Sequence, residues 1–118
     1  MDTTQLYDAL GELIYAVAKV DGLVQDTEIS KLKEVLENHP WSNEIKWSFD
    51  YENRKENTPD EAFAKALQTC KDFGPSAEYA FVIEVLQAVS EASDGTSVQE
   101  SGLIDRFQQE LTGYFQRQ

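Results

Sequence analysis

The chain has 118 residues, with 10 Lys+Arg against 22 Asp+Glu, a formal charge of −12 and a pI of about 4.3. Residues 1–59 hold 12 acids and 6 bases and residues 60–118 hold 10 and 4, so each half carries −6 and no acidic tail accounts for the charge. Such a chain repels phosphate backbones, whose binding runs on Lys/Arg neutralisation, which excludes direct DNA or RNA binding and disfavours anionic membrane surfaces.

A 41% hydrophobic fraction is too rich for disorder. A lone cysteine, Cys70, excludes an internal disulfide and a zinc ribbon. The start MDTTQLYDAL lacks the basic stretch and apolar core of a signal peptide, and no apolar run approaches the ~20 residues of a membrane span. The expectation is one cytoplasmic domain spanning 1–118, without a nucleophile motif and therefore not an enzyme.

Leu6, Leu10, Leu13, Ile14 and Val17 recur at helical spacing and predict a first helix over Thr4–Val20, stopped by Gly22 as C-terminal cap. A second begins at Asp26 or Thr27, carries Ile29, Leu32, Val35 and Leu36, and ends at Asn38-His39-Pro40, because proline pushes its predecessor out of helical geometry. Trp41, Ile45 and Phe49, and separately Trp47 and Tyr51, are spaced by four. They predict a short helix with two aromatic edges, followed by a polar loop over 53–58. Thr58-Pro59-Asp60-Glu61 is a helix start with a Thr cap, Pro at the first position and Glu three residues after the cap. That helix buries Phe63, Ala66, Leu67 and Cys70, reaches Phe73, and ends at Gly74-Pro75. The run from Tyr79 to Val89 is apolar on nearly all sides, the pattern of a helix in the middle of a core. After Asp94-Gly95, Ser97-Val98-Gln99-Glu100 forms a capping box that opens a last helix with Ile104, Phe107, Leu111 and Phe115 inward. Nothing alternates over a strand length, so the fold class is all-α, a compact bundle of five to six helices.

The two ends of the chain also form a weak helix-pair repeat. LIYAVAKVDGLVQDTEISKLKEVL (Leu13–Leu36) and VLQAVSEASDGTSVQESGLIDRFQQEL (Val85–Leu111) each hold an alanine-bearing helix ending in Asp-Gly, a turn, and a helix with apolar spacing 0, 3, 7. Asp21 to Asp94 is 73 residues and Ile29 to Ile104 is 75, so the second connection is about two residues longer.

Ala18-Lys19-Val20-Asp21-Gly22-Leu23-Val24 with Glu28 resembles the A-x-A-D-G hallmark and acidic helix start of the tellurite-resistance TerB family, with valine in place of the second alanine. Ala92-Ser93-Asp94-Gly95 resembles the second copy more loosely. There the glutamate position falls on Leu103 by helix register or Ser101 by direct count, and Glu100 is the acid near enough to substitute. The likeness covers about half the residues in two blocks, and the middle aromatic segment lies outside it. It implies a compact helical domain of bacterial stress and tellurite-resistance clusters, also found attached to a co-chaperone of the DnaJ class, with divalent-cation binding and partner binding as its proposed roles.

The residues carry a chemical argument beside the resemblance. Asp21 and Asp94 stand at helix C-termini, where the macrodipole disfavours negative charge by ~0.3–1 kcal/mol. A divalent cation such as Ca²⁺ or Mg²⁺, held by Asp21, Glu28, Asp94 and Glu100, compensates both. Alternatively each aspartate closes an Asx-turn and the glycines are caps. An EF-hand is excluded, because aligning Asp21, Gly22 and Glu28 to its loop puts Val17 and Lys19 where calcium ligands belong. Trp41, Trp47 and Tyr51 are the candidate partner-binding residues, in a segment with more aromatics than one face of a short helix can bury; a metal-free adaptor is the alternative function. A small carboxylate hydrolase is a third class; acid pairs such as Asp8/Glu12 and Glu84/Glu91 read as solvated faces, and the sequence shows neither the cleft nor the separated pKa values that hydrolysis needs. Cys70 lies on an apolar stripe and reads as a buried thiol, and His39 reads as a turn residue without a second histidine to complete a metal site.

Overall fold

The computed structural model describes residues 3–20, 24–92 and 98–116. Their regular elements are six α-helices: α1 (Thr3–Lys19), α2 (Asp26–Leu36), α3 (Ser42–Lys55), α4 (Pro59–Phe73), α5 (Glu78–Glu91) and α6 (Val98–Gln116). The all-α expectation holds, at its upper helix count. The helices enclose one hydrophobic cluster to which all six contribute, with a radius of gyration of 13.0 Å, as expected for a compact chain near this length. No helix among the described residues is long and apolar enough to cross a membrane.

The middle of the bundle is α1, which packs against α3, α4, α5 and α6. Every residue from Leu13 to Ala18 is buried, as are Leu6, Tyr7, Ala9 and Leu10. This corrects the expectation that the Tyr79–Val89 run would be central: α5 exposes Ala80, Glu84 and Gln87 and leaves Tyr79, Phe81 and Ile83 half-buried. Centrality went to the helix with small residues rather than the one with the most apolar bulk. Ala9, Gly11, Ala16 and Ala18 let neighbours approach α1 on several sides. At Gly11 the crossing with α3 is so close that a Cβ would stand 2.5 Å from the Ile45 carbonyl oxygen and 2.6 Å from Ser48 Cβ. Beside it Ser48 Oγ donates to the Asp8 carbonyl, tying the two helices where their backbones are nearest.

Helix ends follow local chemistry. Thr58 Oγ1 accepts from the Glu61 amide at 3.1 Å and Pro59 occupies the first position of α4, as its sequence signature predicts. Gly74, at φ 100°, terminates the same helix in a conformation that disfavours a side chain. The polar loop expected over 53–58 is shorter: α3 continues through Lys55 and stops at Glu56, in the left-handed region at φ 53°. Its last turn is held by Glu52, a buried acid whose partners lie on other elements. Gly22, Gly95 and Ser97, expected to cap α1, α5 and α6, lie outside the described residues.

Of the apolar triplets on which the expected repeat was read, all but Ile29, which is half-buried, lie in the core. Leu32 and Leu36 of α2, and Ile104, Phe107 and Leu111 of α6, are all buried. Across the bundle, α2 packs on α5 and α6 packs on α1.

Candidate functional site

Glu28 and Glu100 are the two described members of the expected cation set, and each is 1% exposed, Glu28 in the first turn of α2 and Glu100 on α6. Aligned on the apolar faces, Ile29 with Ile104, Glu100 falls three residues before the counterpart of Glu28. Three residues are nearly one turn, so both the acid and the apolar stripe keep their facing. Glu28 Oε1 accepts from the Gln25 amide at 2.9 Å, which satisfies one of the amides left open at the helix start. Asp21 and Asp94 lie outside the described residues. Among the described residues no group of three or more His, Cys, Asp or Glu is placed to hold a metal ion.

The start of α2 and the end of α5 share an open cleft of about 710 Å³, lined among others by Asp26, Thr27, Lys31, Glu34, Glu91 and Ala92.

The aromatic segment divides in two. Trp41 is half-buried against the core and stacks on Tyr7, with ring centroids 4.8 Å apart and planes 12° from parallel. Trp47 and Tyr51 point the other way, 56% and 38% exposed, and stack on each other at 5.5 Å. The Lys55 ammonium sits 5.7 Å from the Tyr51 ring centroid. With Val98 they are the exposed large hydrophobics among the described residues.

His39 locks the turn between α2 and α3. Its Nδ1 accepts from the Trp41 amide at 3.0 Å, so in the neutral ring the proton is on Nε2, 3.2 Å from Glu78 Oε2, to which it donates. The ring stacks on Phe81 at 4.5 Å.

A charged network that the sequence reading missed links α1, α3 and α4. Lys65 Nζ lies 2.7 Å from Glu52 Oε1 and 3.0 Å from Glu12 Oε2. Asn57 Nδ2 donates to the other Glu52 oxygen, and Tyr15 OH donates to the Asn57 carbonyl at 2.7 Å. Burial pushes the Glu12 carboxyl above its ordinary range, against the opposing pull of Lys65. Burial works to lower the Lys65 ammonium, but its hydrogen bonds and attraction to Glu52 and Glu12 outweigh that and hold it above the usual lysine range. The available signal was Glu12, an acid flanked by the apolar stripe of the first helix. Its partners sit 40 and 53 residues away, beyond any spacing rule.

Cys70 is fully buried on α4, as its place on the apolar stripe predicts, and burial pushes its thiol up to about 12. Tyr79 OH, at 3.0 Å from the Cys70 carbonyl and 2.7 Å from that of Gly74, closes this end of α4. A raised thiol pKa favours the protonated form in the fold, so its contribution to stability is present at neutral pH and is lost as pH rises above the unfolded thiol's range towards 12. At pH 8 a thiol reagent is therefore expected to label Cys70 only at the unfolding rate, orders of magnitude below its rate in denaturant; labelling within seconds in the native protein would refute this assignment.

Compared with models of known families, with curated proteins and with solved structures, the chain matches none.

Proposed function

We propose that this chain is a non-enzymatic, TerB-like accessory domain of bacterial stress or tellurite-resistance type, which holds a divalent cation between the acids of its two halves: Asp21, Glu28, Asp94 and Glu100. The observation that carries the reading is the pair Glu28 and Glu100, both withdrawn from water on the helices that follow the two Asp-Gly pairs of the sequence. Two buried carboxylates, each a few residues after an Asp-Gly pair in the sequence, suit a hard, oxygen-seeking cation such as Ca²⁺ or Mg²⁺.

Thermal unfolding of EDTA-stripped protein with Ca²⁺, Mg²⁺, Mn²⁺ or Zn²⁺ tests it. At about 100 times its dissociation constant, a bound ion stabilises by ~2.7 kcal/mol, a rise of several degrees. The rise is expected to vanish in Glu28→Gln/Glu100→Gln and in Asp21→Asn/Asp94→Asn. Glutamine keeps an acceptor for the Gln25 amide, so the first pair removes charge without removing the cap. No rise with any ion, or the same rise in both variants, defeats the cation reading.

A second reading, a metal-free adaptor, is favoured by one observation: the stacked Trp47–Tyr51 pair on the outer face of α3. Aromatics of this kind anchor protein interfaces.

A further inference from the structure

The outer face of α3 has an order that its exposure alone does not convey. Glu44, Trp47, Tyr51 and Arg54 follow at spacings of three, four and three, the interval that places side chains along one stripe of a helix. Trp47 and Tyr51 are its exposed, mutually stacked centre, Arg54 is exposed at one end, and Glu44 is half-exposed at the other. The stripe is symmetric about residue 49, with an aromatic on either side, an acid beyond one and a base beyond the other. A helix with that stripe is complementary to itself when a second copy runs antiparallel. Trp47 of one copy then meets Tyr51 of the other, and Glu44 of one meets Arg54 of the other, twice over. This reciprocity, in which residue i touches j and j touches i, is the mark of a two-fold interface.

Two other observations fit this occupant. Tyr51, Arg54 and Lys55 line an open cleft of about 280 Å³ on the same face, beside the Tyr51 ring that the antiparallel arrangement offers to Trp47 of the other copy. Moreover, α3 packs principally against α1, with fewer contacts to α2, on the side that carries Ile45, Ser48 and Phe49. A partner can therefore lie along the opposite side without displacing the core.

We propose that the outer face of α3 binds a second copy of this chain, antiparallel, with Trp47 against Tyr51 and Glu44 against Arg54 as its two-fold contacts. The assignment rests on the docking reading of α3 and is independent of the cation.

Sedimentation equilibrium of the full chain, from about 10 µM to 1 mM, tests it in ~0.15 M salt, where repulsion between two −12 chains is screened beyond ~8 Å. The wild type is expected to show a monomer–dimer equilibrium that Trp47→Ala weakens at least about tenfold. Glu44→Arg and Arg54→Glu, each alone, place like charges across the interface and are expected to be monomeric. Mixed together they pair with each other, and the double swap Glu44→Arg/Arg54→Glu self-associates again. Circular dichroism confirms that these surface variants fold. A dimer indifferent to all four variants, or single variants that fail to pair on mixing, overturns the proposal. A wild type monomeric at 1 mM also overturns it. If Trp47→Ala then still removes capture of a different protein, the docking reading survives without the second copy; if it changes neither, both fall.

Discussion

Gly11→Ala is expected to destabilise the fold by about 2 kcal/mol or more, although alanine is the better helix former. The propensity gain is ~1 kcal/mol. Against it, the added Cβ would stand 2.5 Å from the Ile45 carbonyl oxygen and 2.6 Å from Ser48 Cβ, well inside any observed contact, and backbone cannot rotate away as a side chain can. Helices α1 and α3 must therefore separate, which strains the Ser48–Asp8 hydrogen bond and loosens the layer around Phe49 and Tyr15, whose rings meet edge-on at 6.1 Å. Overpacking of this kind typically costs 1–3 kcal/mol and occasionally more. Thermal unfolding is the measurement, with a fall on the order of 10 °C expected for a domain of this size. Gly102→Ala is the control, because a Cβ there meets nothing within 4 Å and only the propensity gain remains. If Gly11→Ala matches or exceeds the stability of the wild type, the close α1–α3 crossing is wrong.

Lys65→Met is expected to cost about 2 kcal/mol at neutral pH. Removing one member of a buried ion pair costs 3–5 kcal/mol, and the figure is discounted here because Lys65 is 55% exposed and water replaces part of its ammonium. The loss falls on Glu52, 1% exposed, which keeps Asn57 but loses its cation while still facing Glu12. Glu52→Gln/Lys65→Met removes the stranded charge together with its partner, so the double variant is expected to be more stable than Lys65→Met alone. The pH dependence has a defined sign. A carboxyl raised in the folded state, as Glu12 is, favours the fold below the unfolded carboxyl range and loses that contribution as pH rises through its folded value. The Lys65→Met deficit should accordingly shrink towards acid pH, as one of the two facing carboxyls takes up a proton. At the alkaline end, Lys65 is raised too, so its contribution is present at neutral pH and lost only above the usual lysine range; that loss is expected in the wild type and absent from the variant. Denaturant unfolding across pH reads all three. Equal stability of Lys65→Met and wild type at pH 7 would reduce the network to surface decoration.

The outer stripe of α3 and the acids Glu28 and Glu100 illustrate two degrees of legibility. Trp47 and Tyr51 were visible as aromatics spaced by four, and so was Trp41, but only the fold turned Trp41 inward onto Tyr7 and the other two outward. That both Glu28 and Glu100 are buried needed the fold, because the offset of three residues between acids and apolar stripes obscured their correspondence in a linear alignment.

Local signals determined the helices themselves, since each depends on interactions within a few residues. Spacing of Leu6, Leu10, Leu13 and Val17, the Thr58-Pro59-Glu61 start, Gly74 at a helix end and proline after His39 act over one or two turns, and the helices they predict are the ones observed. Burial of Cys70 was legible for the same reason, as part of a stripe. Which helix became central was decided only by tertiary structure, because close approach depends on small residues such as Gly11 meeting a backbone 34 residues away, whereas periodicity measures only how apolar a face is. Tertiary structure likewise extended α3 to Lys55 and gathered Glu12, Glu52, Asn57 and Lys65, since charges so distant in sequence find each other only after the apolar faces have brought α1, α3 and α4 together.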